Sequence, residues 1–191
     1  MRAQLYSHTR SERRRLRAER PACPMLVPPH PECDWRLMRT VYVDADACPV
    51  IREVISISRT HRTPVVIAAN ETQNLARFVG RDGVDALQVG VGRDAADFAI
   101  VERLEPGDIV VTQDLGLAAM ALGRRAEAIS PRGRVQTSAT IDMELAVRHA
   151  EQRYRRAGGR TGGPSAMDED DRERFRRVFE RLLAEPFPPQ G

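Results

Sequence analysis

The sequence predicts an α/β protein: a three-layer α/β/α sandwich with a mostly parallel, Rossmann-like central sheet and additional C-terminal helices. Three observations lead to this class. Short Val- and Ile-rich runs recur from residue 40 onward, they are continuous rather than alternating, and helical stretches separate them. Continuous apolar strands are typical of a parallel sheet that is covered on both faces. The order β-α-β-loop-β-α-β-α-β therefore favours a sheet with helices on either side.

The predicted elements follow from these runs in chain order. The strand-like segments are TVYVDA (40–45), PVVIAA (64–69), DALQVG (85–90), DIVVTQ (108–113) and AEAIS (126–130). The helical stretches between them cover roughly residues 49–61, 94–104 and 115–124. The segment 70–83 is compatible with either a short helix or a long loop.

Two further helices are predicted after the sheet, because apolar residues recur there at helical spacing. In residues 140–156 one face carries Met143, Val147, Ala150 and Tyr154. In residues 168–184 one face carries Phe175, Val178, Phe179 and Leu182. The segment AGGRTGGP (157–164) joins the two helices, and its four glycines permit a sharp bend or a close approach to a ligand.

The chain divides into a basic, proline-rich extension at 1–38, a folded domain at 39–184 and a tail at 185–191. Residues 1–37 carry eight Arg against four acids, whereas the remainder carries 22 Arg against 23 acids. The sequence pI of 9.1 therefore arises mostly from the extension. Since proline removes backbone donors, the extension is expected to be largely disordered. Met38 stands directly before the first strand and is a candidate translation start in place of Met1.

The same composition bears on location and on cysteine chemistry. No apolar run reaches the roughly 18–20 residues that span a bilayer, and residues 1–20 lack the apolar stretch of a secretory signal. The protein is therefore expected in the cytoplasm and away from membranes. Three cysteines in a chain of this length argue against a disulfide framework. The possible zinc ligands by residue type fit no compact zinc module; they are Cys23, His30, Cys33 and Cys48.

Five aspartates occupy positions that a parallel sheet would bring to one edge. Asp44 and Asp46 follow the first strand, and Asp114 follows the fourth. Asp94 and Asp97 open the helix that precedes the fourth strand. Ligands of open α/β sheets bind beyond the carboxyl ends of the strands. Because clustered carboxylates repel one another, a divalent cation would relieve that cost. The sequence therefore predicts a Mg²⁺ or Mn²⁺ site and a metal-dependent phosphodiesterase or nuclease.

Several of these acids also have a purely structural interpretation. Asp94 and Asp114 stand where helix N-caps are expected. Asp46 is a candidate cap for the helix that has Pro49 in its first turn. Asp44 is harder to explain as a cap, because that helix begins four or five residues later.

The motifs VYVDADACPV, VVIAAN, GRDAADFAIVERLEPGDIVVTQDLGLA, ISPRG and GGRTGGP occur in this order along the chain. With them the chain resembles the YaiI/YqxD family of bacterial proteins over about residues 39–184. That family is in turn similar to the PIN-like superfamily, whose active members are Mg²⁺- or Mn²⁺-dependent ribonucleases. The resemblance implies a PIN-like fold, a divalent-metal cofactor and RNA as substrate or partner.

The resemblance also implies roles for individual acids. Asp44 and Asp46 match an Asp that ends the first strand and a polar residue two places on. Asp97 in DFAIV matches the acid of the next motif, with assistance from Asp94, and Asp114 in VTQD matches the Asp after a later strand. The implied metal ligands are Asp44, Asp94, Asp97 and Asp114. The implied catalytic residues are Asp44, Asp46, Asp97 and Asp114.

Substrate contacts and pairing are further expectations. Asn70, at the end of the second strand, and Thr112 are candidates for positioning substrate or ligands. Candidates for approaching phosphate lie in the glycine-rich segment; they are Arg160, Thr161, Gly162 and Gly163. PIN toxins often carry another acid on an intervening helix, and Glu53 is the only candidate for it. Since PIN-like domains often pair, a homodimer is expected.

Other functions stay open on the sequence alone. DADAC resembles the D-x-D signature of haloacid-dehalogenase-type phosphatases, with Asp44 as nucleophile. The chain contains no lysine, so Arg124 or Arg125 would have to stabilise the phosphoryl intermediate. A non-catalytic module that binds RNA or protein on an inherited fold is the other alternative. Cysteine phosphatase chemistry is excluded, because Cys48 is followed by Arg52 after four residues rather than six.

Overall fold

Strand β1 lies in the middle of a six-stranded sheet and carries the rest of the fold on both sides. A computed structural model describes residues 39–45, 48–69, 78, 83–90, 92, 94–159 and 166–185, together with the backbone of Asn70. The strands are β1 (Val41–Asp44), β2 (Val65–Asn70), β3 (Val84–Val89), β4 (Ile109–Val111), β5 (Glu127–Ile129) and β6 (Val135–Gln136). The helices within those ranges are α1 (Ile51–Thr60), α2 (Ala95–Val101), α3 (Leu115–Gly123), α4 (Ser138–Arg156) and α5 (Glu169–Ala184).

The strands are ordered β3-β2-β1-β4-β5-β6 across the sheet. β1 pairs in parallel with β2 and with β4, and Val43 lies opposite both Ile67 and Val111. Only β6 among the described strands runs antiparallel, on the outer side of β5. The predicted class, an α/β sandwich with a mostly parallel sheet, is confirmed. The sequence does not predict β6, because a two-residue strand is too short to show a period.

Helices cover both faces of the sheet, which explains why the strand runs are continuously apolar. Alternate residues of β1 point to opposite faces, as strand geometry requires. Val41 and Val43 pack into the core that α1 and α5 cover. Tyr42 packs into the core that α2, α3 and the beginning of α4 cover. Within the described ranges, no helix combines the length and apolarity needed to cross a bilayer.

The amino end of the sheet is held by a buried arginine. Arg39 is 4% exposed, and its guanidinium donates to the carbonyls of Gly107 at 2.5 Å and Leu182 at 2.8 Å. It also forms an ion pair with Glu127. These contacts tie the chain before β1 to the turn before β4, to β5 and to the end of α5. These contacts therefore lie at the amino ends of the strands, opposite the carboxyl ends where the acids are predicted to lie.

The two C-terminal helices differ in how they pack. The predicted inner face of α5 is confirmed, since Phe175 and Phe179 are fully buried and their rings stack with centroids 5.2 Å apart. In α4, by contrast, only Ile141 is buried. The face that the helical period predicts is exposed to solvent; it carries Met143, Val147, Ala150 and Tyr154. Helical periodicity predicts which face of α4 is apolar, but it does not predict whether that face is buried.

Several predictions fall wholly or mostly outside the described residues. They are the basic extension at 1–38, most of the ambiguous segment 70–83, the glycine-rich segment at 160–164 and most of the tail at 185–191. Within the segment 70–83 the described Phe78 is buried against the core beneath α1 and α5.

The SPRG turn after β5 packs directly on helix α5. Gly133 has φ +73°, and a Cβ placed there would lie 2.7 Å from the backbone nitrogen of Phe175. Beside it, Arg132 forms an ion pair with Asp171 in the first turn of α5. The turn after β5 therefore holds the first half of α5 against the domain, which gives the ISPRG motif a structural role.

Replacing Gly133 with alanine should reduce stability for two separable reasons. The left-handed backbone costs an L-residue about 1–2 kcal/mol, and forcing a methyl group against α5 adds about 1–3 kcal/mol. Gly83→Ala is the matched control, because Gly83 has φ +77° but nothing within 4 Å of its Cβ position. Urea unfolding should show the larger loss for Gly133→Ala. Equal losses in the two variants would contradict the proposed close packing on α5.

Candidate functional site

The candidate site lies where the strand order reverses. From β1 the chain builds outward through β2 and β3, and it then returns to the other side of β1 as β4. In open α/β sheets such a reversal leaves a crevice beyond the carboxyl ends of the two strands, and ligands bind there. Asp44 ends β1, and Thr112 follows directly after β4. The two predicted residues therefore meet at the reversal itself.

A hydrogen-bonded chain joins the ends of β1 and β4. The Thr112 hydroxyl donates to Asp44 Oδ2 at 3.1 Å and accepts from the backbone N–H of Asp114 at 2.9 Å. Asp44 is 8% exposed and Thr112 is 2% exposed. A carboxylate buried to this extent requires a donor, and Thr112 supplies one. Thr112, a candidate on sequence grounds for positioning substrate or ligands, thus orients Asp44.

Asp114 serves as the N-cap of α3. Its Oδ1 accepts from the backbone N–H groups of Gly116 at 2.6 Å and Leu117 at 3.0 Å, so the cap interpretation is confirmed. A Cβ at Gly116 would lie 2.9 Å from that oxygen, so glycine at this position leaves room for the cap. The Asp114 side chain is exposed at the crevice, which leaves a metal or substrate role compatible with capping.

Asp94 and Asp97 begin helix α2, the connection between β3 and β4. This helix packs on β1, β2 and β3, and it starts at the edge where β3 ends. Asp94 occupies the N-cap position with φ +61°, yet its side chain makes no capping hydrogen bond. An ordinary side-chain cap is therefore the wrong interpretation for Asp94. Asp97 lies in the first turn and is half-buried.

The predicted acids differ in how far the structure brings them together. Across the described part of the chain, no three Asp, Glu, His or Cys side chains are grouped closely enough to hold a metal ion by themselves. Asp46, the nearest predicted companion of Asp44 in sequence, lies outside the described residues, as does the Asn70 side chain. Arg160, Thr161, Gly162 and Gly163 also lie outside them. The roles of these residues stay predictions.

Glu53, the candidate acid of the intervening helix, has a structural partner. Its carboxylate accepts from Arg172 at 2.6 Å, and the Arg172 guanidinium also donates to the Pro49 carbonyl at 3.2 Å. These bonds join the first turn of α1 to α5. Val50 is the N-cap residue of α1, and the predicted capping by Asp46 falls on a residue outside the described part of the chain.

Cys48 is a packing residue next to the site. It is buried in the core beneath α1 and α5. Burial, together with the nearby charges of Asp44 and Glu53, raises the pKa of the Cys48 thiol to about 12. A thiol with that pKa is protonated at neutral pH and is a poor nucleophile. This agrees with the exclusion of cysteine phosphatase chemistry. The other zinc candidates, Cys23, His30 and Cys33, lie outside the described residues.

Removing the Thr112 hydroxyl should destabilise the protein through Asp44. In Thr112→Val the buried carboxylate loses a donor and the Asp114 N–H loses its acceptor, at a cost of about 1–3 kcal/mol. Thr112→Ser keeps the hydroxyl and loses only a methyl group, so urea unfolding should show the smaller loss for Ser. A Val variant as stable as the Ser variant would contradict the hydrogen-bonded connection between β1 and β4.

Comparison with known proteins now identifies the family. The family described as "Uncharacterized BCR, YaiI/YqxD family" matches residues 42–185. A UPF0178 protein of Exiguobacterium sibiricum is 46% identical over 145 residues, which cover 76% of this chain and 96% of that protein. One from Xanthomonas oryzae pv. oryzae is 45% identical over 153 residues, covering 78% and 92%. One from Rhodopseudomonas palustris is 42% identical over 143 residues, covering 75% and 90%.

No solved structure shows a significant match to the chain. The family match begins at the second residue of β1 and ends one residue after α5, so it covers the described sheet except Val41 and all five described helices. The resemblance found in the motifs is thereby confirmed at the level of the family. The chain belongs to the YaiI/YqxD family.

Proposed function

We propose that the protein is a divalent-metal-dependent phosphodiesterase that acts on RNA, on a PIN-like fold. One observation carries the proposal. A buried carboxylate, Asp44, ends the central strand at the reversal of strand order, and Thr112 orients it. Helix α3, whose N-cap is Asp114, begins after β4, the parallel neighbour of β1, and helix α2, whose first turn carries Asp97, packs on β1, β2 and β3. Open α/β sheets bind ligands at this place, so an acid there is a candidate ligand-binding group.

The available donors fit a hard divalent cation. Asp44 and Asp114 carry carboxylate oxygens at the carboxyl ends of the neighbouring strands β1 and β4, and oxygen is the ligand that Mg²⁺ and Mn²⁺ prefer. Mg²⁺ usually keeps several water molecules and takes only one or two carboxylates directly. A site of this kind does not require three acids in mutual contact, so it is compatible with the spacing of the described side chains.

Each residue then has a defined task. Asp44 would hold the ion directly, and Asp97 and Asp114 would hold it directly or through water. Asp46 and Asp94 would complete the acidic rim and orient the attacking water. A bound ion would supply Lewis-acid stabilisation of charge that develops on the phosphate. Thr112 acts by keeping the Asp44 carboxylate in place, because its hydroxyl proton is directed at Oδ2.

RNA binding would come from the arginines of α4 rather than from Arg132 in the SPRG turn (130–133) or Arg134 directly after it. Arg132 pairs with Asp171, and Arg134 pairs with Glu144, so both already have protein partners. Further exposed arginines lie in the second half of α4; they are Arg148, Arg153, Arg155 and Arg156, and the Arg155 guanidinium is 3.8 Å from the Glu151 carboxylate. Arginine contacts to phosphates give affinity that does not depend on base sequence and that salt weakens.

Metal binding is tested by thermal unfolding with and without Mn²⁺. An ion that binds only the folded state raises the melting temperature, so the wild-type protein should shift upward with millimolar Mn²⁺. Asp44→Asn should lose most of that shift. Asp85→Asn is the matched control, because Asp85 is exposed near the start of β3, at the opposite edge of the sheet. A full shift in Asp44→Asn would contradict the metal site.

The same preparation tests catalysis and the alternatives. The wild-type protein should cleave a labelled RNA only with Mn²⁺ or Mg²⁺, should stop with EDTA, and should lose about 100-fold or more in rate in Asp44→Asn. Asp114→Asn should separate the two roles of that residue, since asparagine is also a good N-cap. Metal-dependent stabilisation with no cleavage of RNA or DNA would favour the non-catalytic binding module. A trapped phosphoryl adduct on Asp44 would favour the phosphatase.

A further inference from the structure

Helix α4 is attached to the domain by one end. It runs over 19 residues, from Ser138 to Arg156, and is therefore about 28 Å long. Ile141, in its first turn, is its only buried residue and packs against the core beneath α2 and α3. From residue 145 to residue 156 every position is exposed. Most of this helix therefore extends along the surface without covering the core.

The exposed part carries an apolar stripe that the helical period keeps on one side. The stripe consists of Met143, Val147, Ala150 and Tyr154. At about 100° per residue these positions fall in a sector of about 60°, on the side opposite Ile141. Met143 is 60% exposed, Val147 is 52% exposed and Tyr154 is 57% exposed. A partner helix that packed against this stripe would remove these large apolar side chains from water, which favours association.

The position of the Tyr154 ring is set by the turn that follows the helix. Gly159 donates its backbone N–H to the Tyr154 carbonyl at 3.0 Å. A Cβ at Gly159 would lie only 2.2 Å from the Tyr154 ring, so the ring lies directly over the glycine backbone. Tyr154 is thus held in place while more than half of it stays exposed, which lowers the entropy lost when a partner covers it.

The charges along α4 are divided between its two halves. The first half, 138–147, carries Asp142 and Glu144 and no basic residue. The second half, 148–156, carries four arginines and a single acid, Glu151. A partner complementary to this helix is therefore basic at one end, acidic at the other and apolar in between. The same helix in the opposite direction meets that description.

We propose that the α4 stripe is a homodimer interface in which two copies of the helix pair in antiparallel orientation about a two-fold axis. The axis passes between Arg148 and His149. Met143 then lies opposite Tyr154 of the partner subunit, and Val147 lies opposite Ala150 of the partner subunit. The two-fold axis makes each of these contacts occur twice, as an isologous interface requires.

The flank of the stripe fits the same register. On the helical wheel Asp142 and Arg153 lie on one side of the stripe, about 20° apart. In the antiparallel pair that side meets the same side of the partner, which brings Asp142 to within about 3 Å, along the axis, of Arg153 of the partner subunit. Apolar matching and charge matching therefore select one register. A single pair of helices is a small interface, so the dissociation constant should be on the order of micromolar.

Sedimentation velocity on the full chain from ~1 to ~200 µM tests the interface. The wild-type protein should pass from monomer to dimer with rising concentration, and Val147→Glu should weaken the dimer at least ten-fold. Gln152→Glu introduces the same side chain on the side of α4 away from the stripe and should leave the dissociation constant unchanged. Circular dichroism should show equal helix content in all three proteins. A wild-type protein that stays monomeric, or a dimer indifferent to Val147→Glu, overturns the proposal.

Charge exchange tests the orientation. Asp142→Arg and Arg153→Asp should each weaken the dimer, and the double variant should recover it, because the exchange recreates both ion pairs. A double variant no better than either single one overturns the antiparallel register. Addition of a 20-nucleotide RNA tests whether nucleic acid, rather than a second copy of the chain, covers the exposed face of α4. If the chain dimerises only with RNA, the nucleic acid rather than a second copy covers α4, and the proposal fails. None of these results depends on metal binding or cleavage.

Discussion

The burial of β1 on both faces and along both edges is the constraint on which the rest of the structure depends. A strand in this position must be apolar throughout, and its residues Val41, Tyr42 and Val43 are almost completely excluded from water. Where such a strand ends, the chain returns toward solvent and polar side chains are tolerated again. Asp44 lies at that point and is nevertheless buried, with only 8% of its surface exposed. A carboxylate kept so close to the core is costly unless it is bonded, and the bond to Thr112 reaches across to β4, the strand on the other side of the reversal.

The amino ends of the strands are held in place by hydrogen bonds of buried side chains. Arg39 and Asp108 sit at the amino edge, and each is bonded to backbone groups of neighbouring segments. On one face α5 is fastened by the pair of Glu53 and Arg172 and by the close approach of Gly133. These contacts hold the strands in register without using the carboxyl edge. The acids at the carboxyl ends are therefore positioned by a frame that is anchored at the other end of the strands, which is how binding sites on α/β sheets are generally supported.

The sequence predicts those features that are determined by residues near one another in the chain, and it does not predict those that depend on distant residues. The strands other than β6, the helices and the cap at Asp114 follow from residues close to one another in the chain, and the sequence predicts each of them with small shifts at the ends. The bond between Thr112 and Asp44 could not be derived in that way, because it requires β4 to pair with β1 across 68 residues. Likewise, Glu53 reads as a candidate site acid until α5, 119 residues away, is known to supply Arg172. Periodicity in α4 identified the apolar stripe, but no local pattern says whether a stripe is covered.

The account as a whole depends on Asp44 being a cation ligand rather than an acid retained for folding. The most direct measurement is anomalous diffraction from crystals soaked in Mn²⁺. The account predicts one strong anomalous peak about 2–2.5 Å from a carboxylate oxygen of Asp44, with further density toward Asp97 or Asp114 through water. An absence of any peak at the carboxyl ends of β1 and β4, in crystals that bind Mn²⁺ elsewhere, would contradict it.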